Sequence, residues 1–136
     1  MENCIFCRLV AKEIPCVSIY ETAQALAFLD IHPRAVGHTM VIPKVHAATL
    51  TDLSESEITP LFSVVKKVAQ KIQTALRPDG MTIGINQGEA SGQTIPHLHV
   101  HIIPRFKDDG GGSIHSVVDN PPREELNVIA EKLKIN

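Results

Sequence analysis

Residues 97–101 read His-Leu-His-Val-His. On an extended chain, successive side chains point to opposite faces. His97, His99 and His101 therefore share one face, and Leu98, Val100 and Ile102 share the other. At a rise of about 3.3 Å per residue the outer two imidazoles start roughly 13 Å apart, so neighbours along the row can hold one extended ligand together. An imidazole nitrogen is a nucleophile at neutral pH without prior deprotonation. It can attack phosphorus and leave again, splitting one hard displacement into two. That chemistry requires a hydrogen bond on the second ring nitrogen, to fix the tautomer, and donors around the phosphoryl oxygens. The approach segment Ser91-Gly92-Gln93-Thr94 offers an amide, a hydroxyl and backbone N–H groups next to the triad. Two other uses of the row stay open. Histidines at alternate positions can chelate a catalytic metal, and a single buried histidine can be a satisfied core residue, although three on one face cannot all find partners for both nitrogens.

A second set of residues stands far from the triad in sequence. Cys4 and Cys7 form a C-x-x-C near the start, with Cys16 as the third cysteine. In a reducing compartment this spacing indicates a metal site more often than a disulfide. Two thiolates do not complete a tetrahedron, so further ligands must come from elsewhere, and His46 and His97 are the candidates. The alternative is a pair of free, reduced cysteines with a surface His46. A closed four-ligand site would tie the N-terminus to the catalytic segment two residues before His99 and would leave no position for water, so its metal would be structural. Cys16, His32 and His115 read as bystanders.

These residues need a scaffold, and composition limits which one. The chain has 136 residues, 43% hydrophobic and 21% charged, with no tryptophan and 4% aromatics. That length fits one compact domain over 1–136, able to bury roughly two-thirds of its unfolded surface around an aliphatic core. A formal net charge of -2 argues against a nucleic-acid partner, and the scarcity of aromatics argues against a single-strand stacking surface. A small anionic ligand in a local pocket remains compatible. No apolar run approaches the roughly 20 residues that span a bilayer. The opening Met1-Glu2-Asn3-Cys4 lacks the basic-then-apolar order of a signal peptide, so a cytoplasmic location is expected.

The hydrophobic pattern predicts strands over Val17 to Tyr20, Ala25 to Leu29, Thr39 to Ile42, Met81 to Asn86 and His97 to Ile103, the last stopped by Pro104. One long helix is predicted from Pro60 to Leu76. Leu61, Val64, Val65, Val68, Ile72 and Leu76 lie on one face and the lysines on the other. Thr59 would cap it. A capping box from Ser54 to Glu57 would instead start it earlier, leaving a kink at Pro60. A short helix is expected over Glu124 to Leu133, and Gly110-Gly111-Gly112 is a loop. The pattern describes an α+β fold, an antiparallel sheet of about five strands with one long helix on a face.

With these residues in place the chain resembles the histidine-triad (HIT) family of nucleotide hydrolases and transferases, in its zinc-containing branch with an N-terminal C-x-x-C. The likeness runs from Cys4 to about Phe106 and leaves 107–136 as an extension. It is carried by Cys4-Ile5-Phe6-Cys7, Phe28-Leu29-Asp30-Ile31, Gly37-His38-Thr39-Met40-Val41-Ile42-Pro43-Lys44 with His46, Asn86-Gln87-Gly88, and His-x-His-x-His with two apolar residues after it. The resemblance implies a HIT-like fold and hydrolysis of nucleoside 5'-phosphoramidates or related conjugates through a nucleotidyl-histidine intermediate. His99 would be the nucleophile, His101 would contact the phosphate and leaving group, and His38 would orient the network. Asn86, Gly92, Gln93 and Thr94 would surround the phosphate, Asp30 would take the ribose hydroxyls, and Phe6, Phe28 and Ile31 would wall the base pocket. It further implies a purine nucleotide substrate, a homodimer, no organic cofactor, and a structural Zn2+ on Cys4, Cys7, His46 and His97. The chain lacks the tryptophan-bearing C-terminus of the purine phosphoramidase branch, so the leaving group is left open. Dinucleoside polyphosphate hydrolysis is the alternative reaction, and a non-catalytic nucleotide-binding regulator is the alternative of another class.

Overall fold

The structure is a computed structural model describing residues 3–135. Met1, Glu2 and Asn136 at the chain ends read above lie outside them. The chain forms α1 (Ile5–Val10), β1 (Ser18–Glu21), β2 (Ala25–Leu29), β3 (Thr39–Pro43), α2 (Glu55–Leu76), β4 (Gly80–Gly84), β5 (Val100–Arg105) and α3 (Leu126–Leu133). The strands make one antiparallel sheet in the order β1-β2-β3-β5-β4, so the expected α+β architecture is the observed one.

The two faces of the sheet have different covers. Ala25, Ala27, Val41, Val100 and Ile102 pack under α2 through its Leu61, Val64, Val65, Val68 and Ile72 stripe. On the opposite face Leu26, Phe28, Met40 and Ile42 meet Cys4, Phe6 and Leu9 from α1. Helix α1 is too short to cover the whole of that face, and the remainder near β4 and β5 is a cleft. The register runs one row across this side: Phe28 opposite Met40, Met40 opposite His101, His101 opposite Gly84.

Several boundaries differ from the pattern reading: β4, expected over Met81 to Asn86, runs Gly80–Gly84, and α3, expected from Glu124, begins at Leu126. Helix α2 begins at Glu55 with Ser54 as its extended N-cap and carries Pro60 inside it, the earlier of the two starts considered. It ends at Leu76, as expected, and its C-cap Arg77 adopts a left-handed conformation with φ 49°. Strand β5 begins at Val100, so His97 and His99 precede the ladder. Pro43 has no N–H with which to continue pairing, its carbonyl accepts from His97 Nε2 at 2.9 Å, and the chain turns at His97 N–H to Ile95 O, 2.8 Å. Pro104 lies inside β5 rather than stopping it, because β3 has already ended at Thr39 opposite Ile102 and β5 has only β4 beside it from there on. No described helix is long and apolar enough to cross a membrane.

Candidate active site and metal centre

His99 lies between Phe6 and His101, with ring centroids 5.2 and 5.0 Å away, and is 7% exposed. Its Nδ1 donates to the His97 carbonyl at 2.7 Å. When the ring carries one proton, that bond keeps it on Nδ1 and directs the lone pair to Nε2. Nε2 has no partner among the described residues and is not sealed from solvent.

The proton positions on the other two imidazoles follow from a single amide. Arg34 N–H donates to His38 Nδ1 at 3.1 Å, so His38 must carry its proton on Nε2. That atom stands 2.9 Å from His101 Nδ1 and 3.5 Å from Asp30 Oδ2. His101 Nδ1 therefore accepts, and the proton of His101 is on Nε2. Asp30 is itself oriented, since its Oδ1 accepts from His32 N–H at 2.8 Å. Asp30, His38 and His101 also lie close enough together to hold a metal ion. A metal on His38 Nε2, however, would force that ring's proton onto Nδ1, against the Arg34 amide. The tautomers favour proton transfer over chelation at this cluster.

Burial keeps these rings uncharged at neutral pH. His101 is pushed down to about 4, first by desolvation and then by His99 and His38. His38 is lowered by desolvation, partly offset by Asp30. In an unfolded chain both would titrate near the ordinary 6.5, so on acidification the unfolded state takes up protons that the native state refuses. Stability from this source is present above about pH 6.5 and is lost as the pH falls toward 4. For His101 alone the loss should be on the order of 3 kcal/mol, at about 1.4 kcal/mol per unit. Urea unfolding at pH 7 and pH 4.5 reads this effect. NMR titration of the His101 ring should show a midpoint well below 6; a midpoint near 6.5 contradicts the buried relay.

The four residues proposed for metal do converge. Cys4 Sγ is 3.4 Å from His97 Nδ1, and Cys7 Sγ is 3.3 Å from His46 Nδ1 and 3.6 Å from His97 Nδ1. Cys4 is the N-cap of α1, and its sulfur accepts from Cys7 N–H at 3.4 Å. A tetrahedral zinc with bonds of about 2.3 Å to sulfur and 2.0–2.1 Å to nitrogen sets S–N edges near ~3.6 Å. His97 donates from Nε2 to Pro43 O, as metal-bound histidines usually do from the nitrogen that is not coordinated, and this leaves the Nδ1 lone pair facing the cysteines. Burial pushes the Cys7 thiol up, and the neighbouring Cys4 adds to it.

Other expected contacts are distributed differently. Asp30, His38, Asn86 and His101 line one cleft of about 710 Å³. Gln93 and Thr94 border a separate depression with Glu89 and Pro96. The Gln93 amide is fully committed, accepting from Gly88 N–H at 2.8 Å and donating to Ala48 O and Ile95 O at 2.7 and 3.1 Å. In this arrangement it braces the loop. Gly92, at φ 101°, turns that loop, and a Cβ there would stand 4.0 Å from Asn86 Nδ2. Phe6 and Phe28 are both 3% exposed and pack edge-on at 5.6 Å, so they buttress the histidines from beneath rather than face an open pocket. Ile31 stands out at 80% exposure. Sequence reasoning missed the Arg34 amide, because backbone donors carry no residue signature. It also missed the segment after Gly110, whose Gly112, Ser113, Ile114, Ser116 and Val117 line the cleft.

Comparison with known proteins agrees with this arrangement. The HIT domain family model matches residues 11–108. An adenosine 5'-monophosphoramidase of Schizosaccharomyces pombe is 37% identical over 131 residues, 96% of each chain. A crystal structure of a HIT family protein from Bacillus anthracis superposes with a TM-score of 0.86 at 38% identity, covering 97% of this chain and 95% of that one. A zinc-bound histidine triad family protein from Mycobacterium smegmatis gives 0.74 at 38% identity, covering 79% and 78%. The chain belongs to the HIT family, and its Cys4, Cys7, His46 and His97 cluster fits the zinc-type branch.

Proposed function

We propose that this protein hydrolyses nucleotide conjugates, nucleoside 5'-phosphoramidates first among them, through a nucleotidyl intermediate on His99. The observation that carries the reading is the tautomer pattern. His99 has its lone pair on an unpartnered Nε2, and the His38–His101 pair places a proton on His101 Nε2. The name of the fission yeast relative supports the phosphoramidate class.

In the first half-reaction His99 Nε2 bonds to phosphorus as the bond from phosphorus to the leaving nitrogen breaks. That nitrogen takes the proton from His101 Nε2. Every ring nitrogen of the resting His101–His38 pair is already used, so the extra proton that this step needs enters with the substrate and displaces the Arg34 N–H from His38 Nδ1. Because burial disfavours that charge in the free protein, the anionic phosphoryl group is what stabilises it in the complex. In the second half water bonds to phosphorus, the bond to Nε2 breaks, and the water's proton returns to His101. Asp30 and Asn86 bind and orient the substrate along the cleft. We assign the four-ligand cluster to structural Zn2+, held by Cys4, Cys7, His46 and His97 and filling no catalytic role, since four protein ligands leave no open position.

Quenching turnover into alkaline detergent, with nucleotide labelled at the α-phosphorus, tests the scheme. Label should remain on the denatured protein as an acid-labile, base-stable phosphoramidate and map to the peptide containing His99. Turnover with no label on protein, or label on another residue, overturns it.

A further inference from the structure

The loop between β2 and β3 is tied down along its length. Asp30 N–H donates to His38 O at 2.9 Å, His38 N–H to Ala35 O at 3.1 Å, and Thr39 Oγ1 to Gly37 O at 2.8 Å. His32 N–H and Arg34 N–H reach Asp30 Oδ1 and His38 Nδ1. These bonds fix the backbone against the site and leave Arg34 exposed on the rim of the cleft.

Fixed charge is sparse along that cleft. Among the described residues that line it, Asp30 is the one acid, and Arg34 is the one arginine or lysine. Asp30 is engaged, with Oδ1 accepting from His32 N–H and Oδ2 standing 3.5 Å from His38 Nε2. The Arg34 side chain makes no ion pair and no hydrogen bond with any described residue; its bond to His38 comes from the main chain. A guanidinium left without a partner on an anion-binding cleft is free to take a second anion of the ligand.

The row of rings says where that second anion would lie. His99 and His101 have centroids 5.0 Å apart, His101 and His38 have centroids 5.2 Å apart, and Arg34 N stands 3.1 Å from the far nitrogen of His38. Arg34 is therefore the outermost member of a line that starts at the nucleophile. The strand register agrees, since Thr39 opposite Ile102 sets His38 beside Ile103, one step of alternation past His101. In an in-line displacement the leaving atom departs on the side of phosphorus away from the attacking nitrogen. Away from His99 along this row is toward His38 and Arg34.

Resting on the hydrolase reading above, we propose that Arg34 is a specificity-determining residue whose guanidinium pairs with a carboxylate or phosphate carried by the leaving amine, favouring anionic conjugates over neutral and cationic ones. The pairing also assists the proton relay. Desolvation is the larger obstacle to charge on His38, and the Arg34 guanidinium adds to it. An anion bound to that guanidinium cancels its share, so the extra proton of the first step is held more easily.

The test compares adenosine 5'-phosphoramidates of amines of like length: β-alanine, its amide, 1,3-diaminopropane and phosphoethanolamine. The wild type should favour the β-alanine conjugate over the neutral amide by about tenfold in kcat/KM, with the diaminopropane conjugate slowest. The phosphoethanolamine conjugate should also outrun the amide, and its rate against β-alanine tells which anion the guanidinium takes better. Arg34→Gln should bring the β-alanine-to-amide ratio to about one, and Arg34→Glu should reverse the order in favour of the cationic amine. Raising the ionic strength should shrink the wild-type ratio and leave that of Arg34→Gln where it is. Both variants keep the N–H that holds His38, and thermal melts report whether the fold is kept. Equal losses for every amine in both variants, or a preference that survives Arg34→Glu, overturn the proposal. A flat wild-type series also overturns it while leaving the hydrolase reading intact. Absence of turnover on every member, with no label on His99, refutes the hydrolase reading and the proposal with it.

Discussion

His99→Ala should lower turnover by about 10⁴-fold or more and eliminate the covalent nucleotidyl adduct, while AMP still binds. The scale follows from removing a nucleophile whose partners remain: with no Nε2 to attack, the two-step route is closed and only unassisted attack by water in the same cleft is left. Binding persists because Asp30, Asn86 and His101 line the cleft independently of the lost ring. The variant should also melt somewhat lower, since a ring 7% exposed and packed 5.2 Å from Phe6 leaves a void. Stopped-time assays, labelling with an alkaline quench, and equilibrium dialysis with AMP separate the three effects. Turnover within tenfold of wild type would remove His99 from the chemistry. Retained function in cells together with lost turnover would favour the regulator reading instead.

How much of this was legible beforehand depends on which kind of interaction carried each feature. The sheet and long helix were readable because they rest on periodicity: the Leu61, Val64, Val65, Val68 and Ile72 stripe and the Ala25 to Leu29 run have a single burial solution. The metal cluster was half readable from residue type, since two cysteines three apart need partners, but it was the family resemblance that pointed to His46 and His97 among the seven histidines. The shared face of the triad was only partly right. Beyond Val100 it follows strand alternation, but His97 is set by a turn at Ile95 and by the Pro43 carbonyl, interactions between segments 54 residues apart that no local pattern encodes. Gln93 shows that residue type alone does not say what a side chain is bonded to. Its side chain suits a phosphate contact by type, yet three backbone groups reach it first. The segment that lines the cleft after Gly110 was invisible for a third reason: Gly110-Gly111-Gly112 signals a loop, and only the Arg105 bond to Gly112 O at 2.6 Å shows that the loop is fixed and where it lies.

Stripping metal should lower the melting temperature by roughly 8–16 °C, an effect on the order of 4 kcal/mol for a chain of this size. The cluster joins three segments with no other covalent link, the start of α1 through Cys4 and Cys7, the stretch after β3 through His46, and the approach to β5 through His97. Without a cation, burial of the Cys7 thiol opposes its ionisation, whereas a bound zinc holds thiolates, so affinity should fall as the pH is lowered and binding should release protons. Metal analysis should find one zinc per chain, Cys4→Ser and Cys7→Ser should each lose it, and added zinc should restore the melting temperature of the stripped wild type. The consequence reaches the active site through one bond. The same His97 whose Nδ1 faces the cysteines presents the carbonyl that holds His99 Nδ1–H at 2.7 Å. If the cluster positions that carbonyl, metal removal should slow formation of the labelled adduct at temperatures where the stripped protein is still folded. A stripped protein that melts within 2 °C of the loaded one would reduce the four residues to coincidental neighbours. Adduct formation at an unchanged rate would confine the metal's role to stability.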